Sequence, residues 1–113
     1  MTIKELQTSV DNWIKQYGVR YFDEKTNMLL LMEELGELSR LMARKYGEQS
    51  FKNKYSTYEI DAMIQDEIGD IFFVLTCLCN QMNIDIDDII NKNIEKKISR
   101  DKTRHINNPK LIQ

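Results

Sequence analysis

Five acidic residues stand in two short blocks, Glu33-Glu34-Leu35-Gly36-Glu37 and Glu67-Ile68-Gly69-Asp70. Side chains three or four residues apart on a helix share a face, so Glu34 lies over Glu37 and Glu67 over Asp70. Both pairs are set in apolar sequence. Glu67 falls in the stripe Ile60, Ile64, Ile71, Val74, Leu78, and Glu34 lies between Leu30 and Leu31 on one side and Leu38 and Leu41 on the other. Two like charges about 4 Å apart repel by roughly 4 kcal/mol at an effective dielectric of about 20. Four carboxylates meeting in one interior must therefore take up protons, pair with bases or hold cations. Hard divalent ions such as Mg²⁺ or Mn²⁺ prefer oxygen ligands, and two of them would neutralise four carboxylates. A carboxylate-lined metal site between two helices is the leading expectation. The bland alternative is that Glu37 pairs with Arg40 or Arg44 on a solvated helix face.

The elements that must position these acids follow from spacing and caps. Ile3, Leu6, Val10, Trp13, Ile14 and Tyr17 predict a first helix over residues 2–17, with Thr2 as N-cap and Gly18 as its end. Trp13 and Tyr17 could stack on a flat base or simply seal that helix against the core. A second helix is expected from about Lys25 to Lys45. The pattern Ser56-Thr57-Tyr58-Glu59 is a capping box opening a third, which runs to about Met82. The stretch between them, Tyr46 to Thr57, is polar and aperiodic; its Lys52 and Lys54 belong either to a lid or to a solvated loop. The third helix is nearly continuously apolar from Ile68 to Leu78, which predicts burial on several sides, including against another subunit.

Asp85 is a good N-cap for a fourth helix. Its stripe starts with Ile86, Ile89 and Ile90 and continues through Asn93, Lys97, Arg100 and Arg104, with Lys96 beside it. Such a stripe either projects into water or reaches the acidic site and holds phosphate oxygens. Residues 106–113 lack periodicity and are expected to fray, leaving one domain over residues 1–105. The fold class expected is all-α, a four-helix bundle that oligomerises through its apolar helices.

Composition agrees. The 113 residues are 42% apolar and 30% charged with a net charge of −2, and one proline and four glycines favour long helices. No signal-peptide pattern and no apolar run of about 18 residues occur, so no membrane contact and a cytoplasmic location are expected. Cys77 and Cys79 point to different faces of one helix, which fits reduced thiols rather than a disulfide or a zinc pair. The near-neutral balance argues against nucleic-acid binding.

Acids on the second and third helices and bases on the fourth suit a metal-bound polyphosphate, with Glu33 as a spare carboxylate able to orient or deprotonate water. Together the motifs Glu33-Glu34-Leu-Gly-Glu37 and Glu67-Ile-Gly-Asp70 resemble the EExxE and ExxD signature of the MazG-like nucleotide pyrophosphohydrolases, an all-α superfamily. The resemblance implies Mg²⁺-dependent cleavage of a nucleoside triphosphate to the monophosphate and pyrophosphate, a reaction used in house-cleaning of the nucleotide pool. It implies metal ligation by Glu34, Glu37, Glu67 and Asp70, with Glu33 acting on the water. It places phosphate contacts on Asn93, Lys96 and Arg100, and it implies a homodimer or homotetramer. A di-iron bundle would need Glu-x-x-His pairs, and the only histidine, His105, stands at no such spacing. The remaining rivals are a phosphoribosyl-ATP pyrophosphohydrolase activity and a non-catalytic helical metal-binding or interaction module.

Overall fold

The computed structural model describes residues 1–112 and contains helices only. The expected four are α1 (Ile3–Trp13), α2 (Glu24–Tyr46), α3 (Thr57–Gln81) and α4 (Ile86–Asp101). Each begins at a side-chain cap. The Thr2 hydroxyl accepts the Glu5 N–H at 3.1 Å, Asp23 accepts that of Thr26 at 2.7 Å, and Asp85 accepts that of Asp88 at 3.4 Å. At α3 the box is reciprocal: Ser56 accepts from the Glu59 N–H at 3.1 Å, and the Glu59 carboxylate accepts from the Ser56 N–H at 3.3 Å.

The ends are equally specific. Gly47 closes α2, where a Cβ would stand 2.5 Å from the Ala43 carbonyl oxygen, so only glycine fits without a shift. Asn83 closes α3 at φ 57. Its N–H donates to the Asn80 carbonyl at 3.2 Å, and the next N–H, of Ile84, donates to Cys79 at 2.8 Å, the paired bonds of a Schellman turn.

The first helix departs from expectation at its end. After Trp13 it widens into a π-helix over Ile14–Gly18, and Val19 then sits at φ 70, ψ −58. There the Arg20 N–H donates to the Gly18 carbonyl at 2.8 Å, closing a γ-turn that a β-branched residue adopts only under strain.

α2 and α3 form a long antiparallel hairpin, joined at its open end by the bond from Asn27 Nδ2 to Gln81 Oε1 (2.7 Å) and near its loop by the Lys45–Asp61 ion pair. α1 lies across α3, and Val10, Ile14 and Cys77 make the small core between them, with Leu6, Tyr21 and Phe73 packed around it. An amide network locks this joint. Gln7 Nε2 donates to Asn80 Oδ1 (3.0 Å) and the Ile84 carbonyl (2.9 Å), while Gln7 Oε1 accepts the Ile86 N–H at 2.9 Å. Asn80 Nδ2 donates to the Tyr21 hydroxyl, which donates to Asp11. Burial and the Asp11 bond hold the Tyr21 hydroxyl up at about 12, so it stays a donor. A buried amide left unpaired would cost about 1–3 kcal/mol, so the network fixes where α4 starts.

α4 touches α1 and makes no substantial contact with α2. The radius of gyration is 18.2 Å, against about 13 Å for a compact domain of this size. Two apolar faces consequently stay uncovered: Met28, Met32 and Leu35 with Ile68, Phe72 and Leu75 on the hairpin, and Ile90, Ile94 and Ile98 on α4. Beyond α4 the chain turns and forms a short 3-10 helix, Pro109–Leu111, capped by Asn108; of the tail expected to fray, Gln113 lies outside the described residues.

Candidate active site

The hairpin brings the two acidic blocks face to face at mid-length. Glu34, Glu67 and Asp70 each offer a carboxylate oxygen, and these oxygens lie within 4.8 Å of one another. Glu34 and Glu67 are half-buried and Asp70 is exposed, so the cluster is open on one side. Glu37, one turn beyond Glu34, reaches Glu67. Glu33 is exposed on the neighbouring face of α2.

No base relieves this crowding. Among the described residues the ion pairs are Lys15–Asp11, Lys45–Asp61, Lys92–Asp88, Arg100–Asp101 and Arg104–Asp101, and none includes the five motif acids. The alternative pairing of Glu37 with Arg40 or Arg44 is therefore absent. One oxygen each of Glu34 and Glu67 is buried with no hydrogen-bond partner. Glu67 is pushed up to about 8, first by the adjoining Glu34 carboxyl, then by desolvation and by Glu37. Buried, unpartnered carboxylate oxygens converging from two helices are the donor set of a hard divalent cation, and the residues present fit such an ion.

On one side of the cluster lies a cavity of about 500 Å³ lined by Glu37, Arg40, Leu41, Met63, Asp66 and Glu67. Arg40 and Asp66 were not singled out from sequence as site residues. The signal was there for Arg40, three residues after Glu37 and thus on its face. On the other side, Phe73 stands one turn after Asp70. Trp13 meets it edge-on, with centroids 5.4 Å apart and planes at 89°, and Tyr17 lies 6.0 Å from Trp13. Trp13 thus seals α1 against α3 yet stays 46% exposed, and Tyr17 is 66% exposed.

The basic stripe stands apart. Asn93, Lys96, Lys97 and Arg100 are exposed on α4, and Arg104 lies in the turn after it. Arg100 and Arg104 both pair with Asp101, whose carboxyl Arg100 holds below its usual range. Because α4 does not pack on α2, a single chain does not bring these bases onto the acids. A second hollow, of about 590 Å³ at the α1–α4 joint, includes Gln7, Asn80 and Asp85 and is bordered by none of the five acids.

This fold is that of a known class. The chain belongs to the MazG nucleotide pyrophosphohydrolase domain family, whose model matches residues 22–105, and so it is a hydrolase of that class. Among its relatives is the Bacillus subtilis (strain 168) protein YpjD, 41% identical over 103 residues, which span 91% of this chain and 89% of that one. The crystal structure of B. subtilis YpjD superposes with a TM-score of 0.74 at 36% identity, covering 85% of this chain and 94% of that one. The Bacillus-conserved MazG protein, a nucleotide pyrophosphohydrolase, gives 0.73 at 35% identity over 90% and 95% of the two chains. No helix among the described residues is long and apolar enough to cross a membrane.

Proposed function

We propose that the protein hydrolyses nucleoside triphosphates between the α and β phosphates, releasing the monophosphate and pyrophosphate, with Mg²⁺ or Mn²⁺ held by Glu34, Glu37, Glu67 and Asp70. The observation that carries this reading is the convergence of unpaired carboxylate oxygens within 4.8 Å at the centre of the hairpin. A divalent ion there supplies charge neutralisation for phosphate oxygens and lowers the pKa of bound water.

The chain's own groups do the rest. Glu33, exposed beside the cluster, takes the proton from the attacking water. The water oxygen bonds to the α-phosphorus as the bond to the bridging oxygen breaks, and pyrophosphate leaves with that oxygen. Trp13, which meets Phe73 one turn from Asp70, and Tyr17 beside Trp13 offer aromatic surface where a base can stack. Asn93, Lys96, Lys97, Arg100 and Arg104 hold phosphate oxygens of the substrate in a neighbouring subunit, since α4 leaves its own hairpin. The uncovered apolar faces on the hairpin and α4 support self-association as a homodimer or homotetramer. Two buried free thiols and a net charge of −2 suit a cytoplasmic enzyme acting on free nucleotides rather than on nucleic acid.

The test is phosphorus NMR of the purified protein with Mg²⁺ and a panel of canonical and damaged nucleoside triphosphates, with phosphoribosyl-ATP included. Monophosphate and pyrophosphate in equal amounts are expected from at least one triphosphate. Release of orthophosphate instead, or of nothing from any substrate, would refute the reading.

A further inference from the structure

We propose that the cavity bordering the acidic cluster holds the pyrophosphate end of the substrate, and that Arg40 is its phosphate-binding cation. The inference rests on the triphosphate reading above and extends it to a residue outside both acidic motifs and outside the basic stripe of α4.

The cavity shares Glu37 and Glu67 with the cluster, so a ligand bound to a metal there has this space directly beside it. Arg40 stands in its wall one turn from Glu37 and forms no ion pair among the described residues. The neighbouring cations do not line the cavity. Arg44 turns back on its own helix, its Nη1 donating to the Arg40 carbonyl at 3.2 Å while its Nε is buried without a partner, and Lys45 is paired with Asp61. Arg40 is the cation in the cavity wall, and its planar fork can take two phosphate oxygens at once.

The wall also says what form the ligand takes. Glu37, Asp66 and Glu67 carry three carboxyls against one guanidinium, so a bare anion is repelled. A metal–pyrophosphate complex is not, because its cations answer the carboxyls and its outward oxygens answer Arg40. Leu41 and Met63 form an apolar side of the cavity that offers nothing to a sugar hydroxyl. Direction follows from α3. Met63 lines the cavity and Phe73 carries Trp13, ten residues apart or about 15 Å along the helix, with Glu67 and Asp70 between them. Terminal phosphates at Arg40, reacting phosphorus at the acids and base at Trp13 lie in that order. The larger hollow at the α1–α4 joint borders none of the acids and fits no part of this arrangement.

The test is calorimetric titration of the full chain with inorganic pyrophosphate and, separately, with a nucleoside monophosphate, both in Mg²⁺. Arg40→Ala should weaken pyrophosphate binding by about tenfold or more, the scale of one lost charge-assisted contact. Arg40→Lys should fall between, since it keeps the charge and loses the fork. Monophosphate affinity and Mn²⁺ affinity read by electron paramagnetic resonance should stay within about twofold, and melting curves should show both variants folded. Unchanged pyrophosphate affinity in Arg40→Ala, or equal losses for pyrophosphate, monophosphate and Mn²⁺, would overturn the assignment. Absence of magnesium-dependent pyrophosphate binding in the unmutated protein would overturn it too. Turnover measured alongside separates the two claims: triphosphate hydrolysis with no Arg40 effect sinks only this pocket, and Arg40-dependent pyrophosphate binding without hydrolysis sinks only the reaction.

Discussion

Replacing Glu67 by glutamine in the metal-free protein should stabilise it, by an amount that grows with pH. The folded carboxyl is held at about 8 against an ordinary 4.5. Below about pH 4.5 both folded and unfolded chains carry the proton, and the variant gains little. Between 4.5 and 8 the unfolded chain releases its proton while the folded one keeps it, so the unmutated protein loses stability as pH rises. Above about pH 8 the folded chain bears the full repulsion. Oxygens of Glu34 and Glu67 within 4.8 Å correspond to roughly 3 kcal/mol at an effective dielectric of about 20, and partial exposure reduces this to about 1–2 kcal/mol. That is about 4–8 °C in melting temperature for a chain of this length. Thermal melts by circular dichroism in EDTA, from pH 4.5 to 9, should show the two curves diverging and levelling off above about pH 8. Mg²⁺ should then reverse the order, because only the unmutated site binds it tightly. A pH-independent difference, or a less stable variant at pH 9, would show that Glu67 is a structural partner and not a crowded ligand.

Other sites give independent tests. Gly47→Ala should destabilise the protein by about 1–3 kcal/mol in urea titration, since its Cβ meets the Ala43 carbonyl oxygen at 2.5 Å; an unchanged midpoint would show that the end of α2 yields freely. Gln7→Ala should cost about 1–3 kcal/mol and speed hydrogen exchange at the Ile86 N–H, which would lose its acceptor; unaltered protection there would deny Gln7 its role in fixing α4. Ile94→Glu should lower the assembled mass in light scattering without loss of helicity, whereas an unchanged mass would remove the α4 face from the interface.

The sequence was most readable where a local rule decides. Thr2, Asp23, Ser56 and Asp85 all cap helices because one side chain can satisfy a nearby free N–H, and sequence reading missed only Asp23, which lay in a connector. The acidic hairpin was readable for a related reason: three-residue spacing on two apolar helices leaves few places for the charges to go. Long-range choices were not readable. Gln7 and Asn80 bond across 73 residues, and nothing near either residue announces it. The strained γ-turn falls on Val19, whose type argues against a positive φ, so local preference could not announce it. Periodicity marked an apolar stripe on α4 but could not say that α1, not α2, would receive its first turn. From sequence Arg40 stands only as an alternative partner for Glu37, because the cavity it lines exists only once α2 and α3 are paired.

The claim on which the rest depends is that carboxylates from α2 and α3 jointly hold a divalent ion. Titration of the full chain with Mn²⁺, followed by electron paramagnetic resonance, tests it directly. Tight binding should be lost in Glu34→Gln on one helix and in Glu67→Gln or Asp70→Asn on the other, while Asp88→Asn on α4 leaves it intact. Mn²⁺ affinity that is unchanged in all three motif variants would contradict the account.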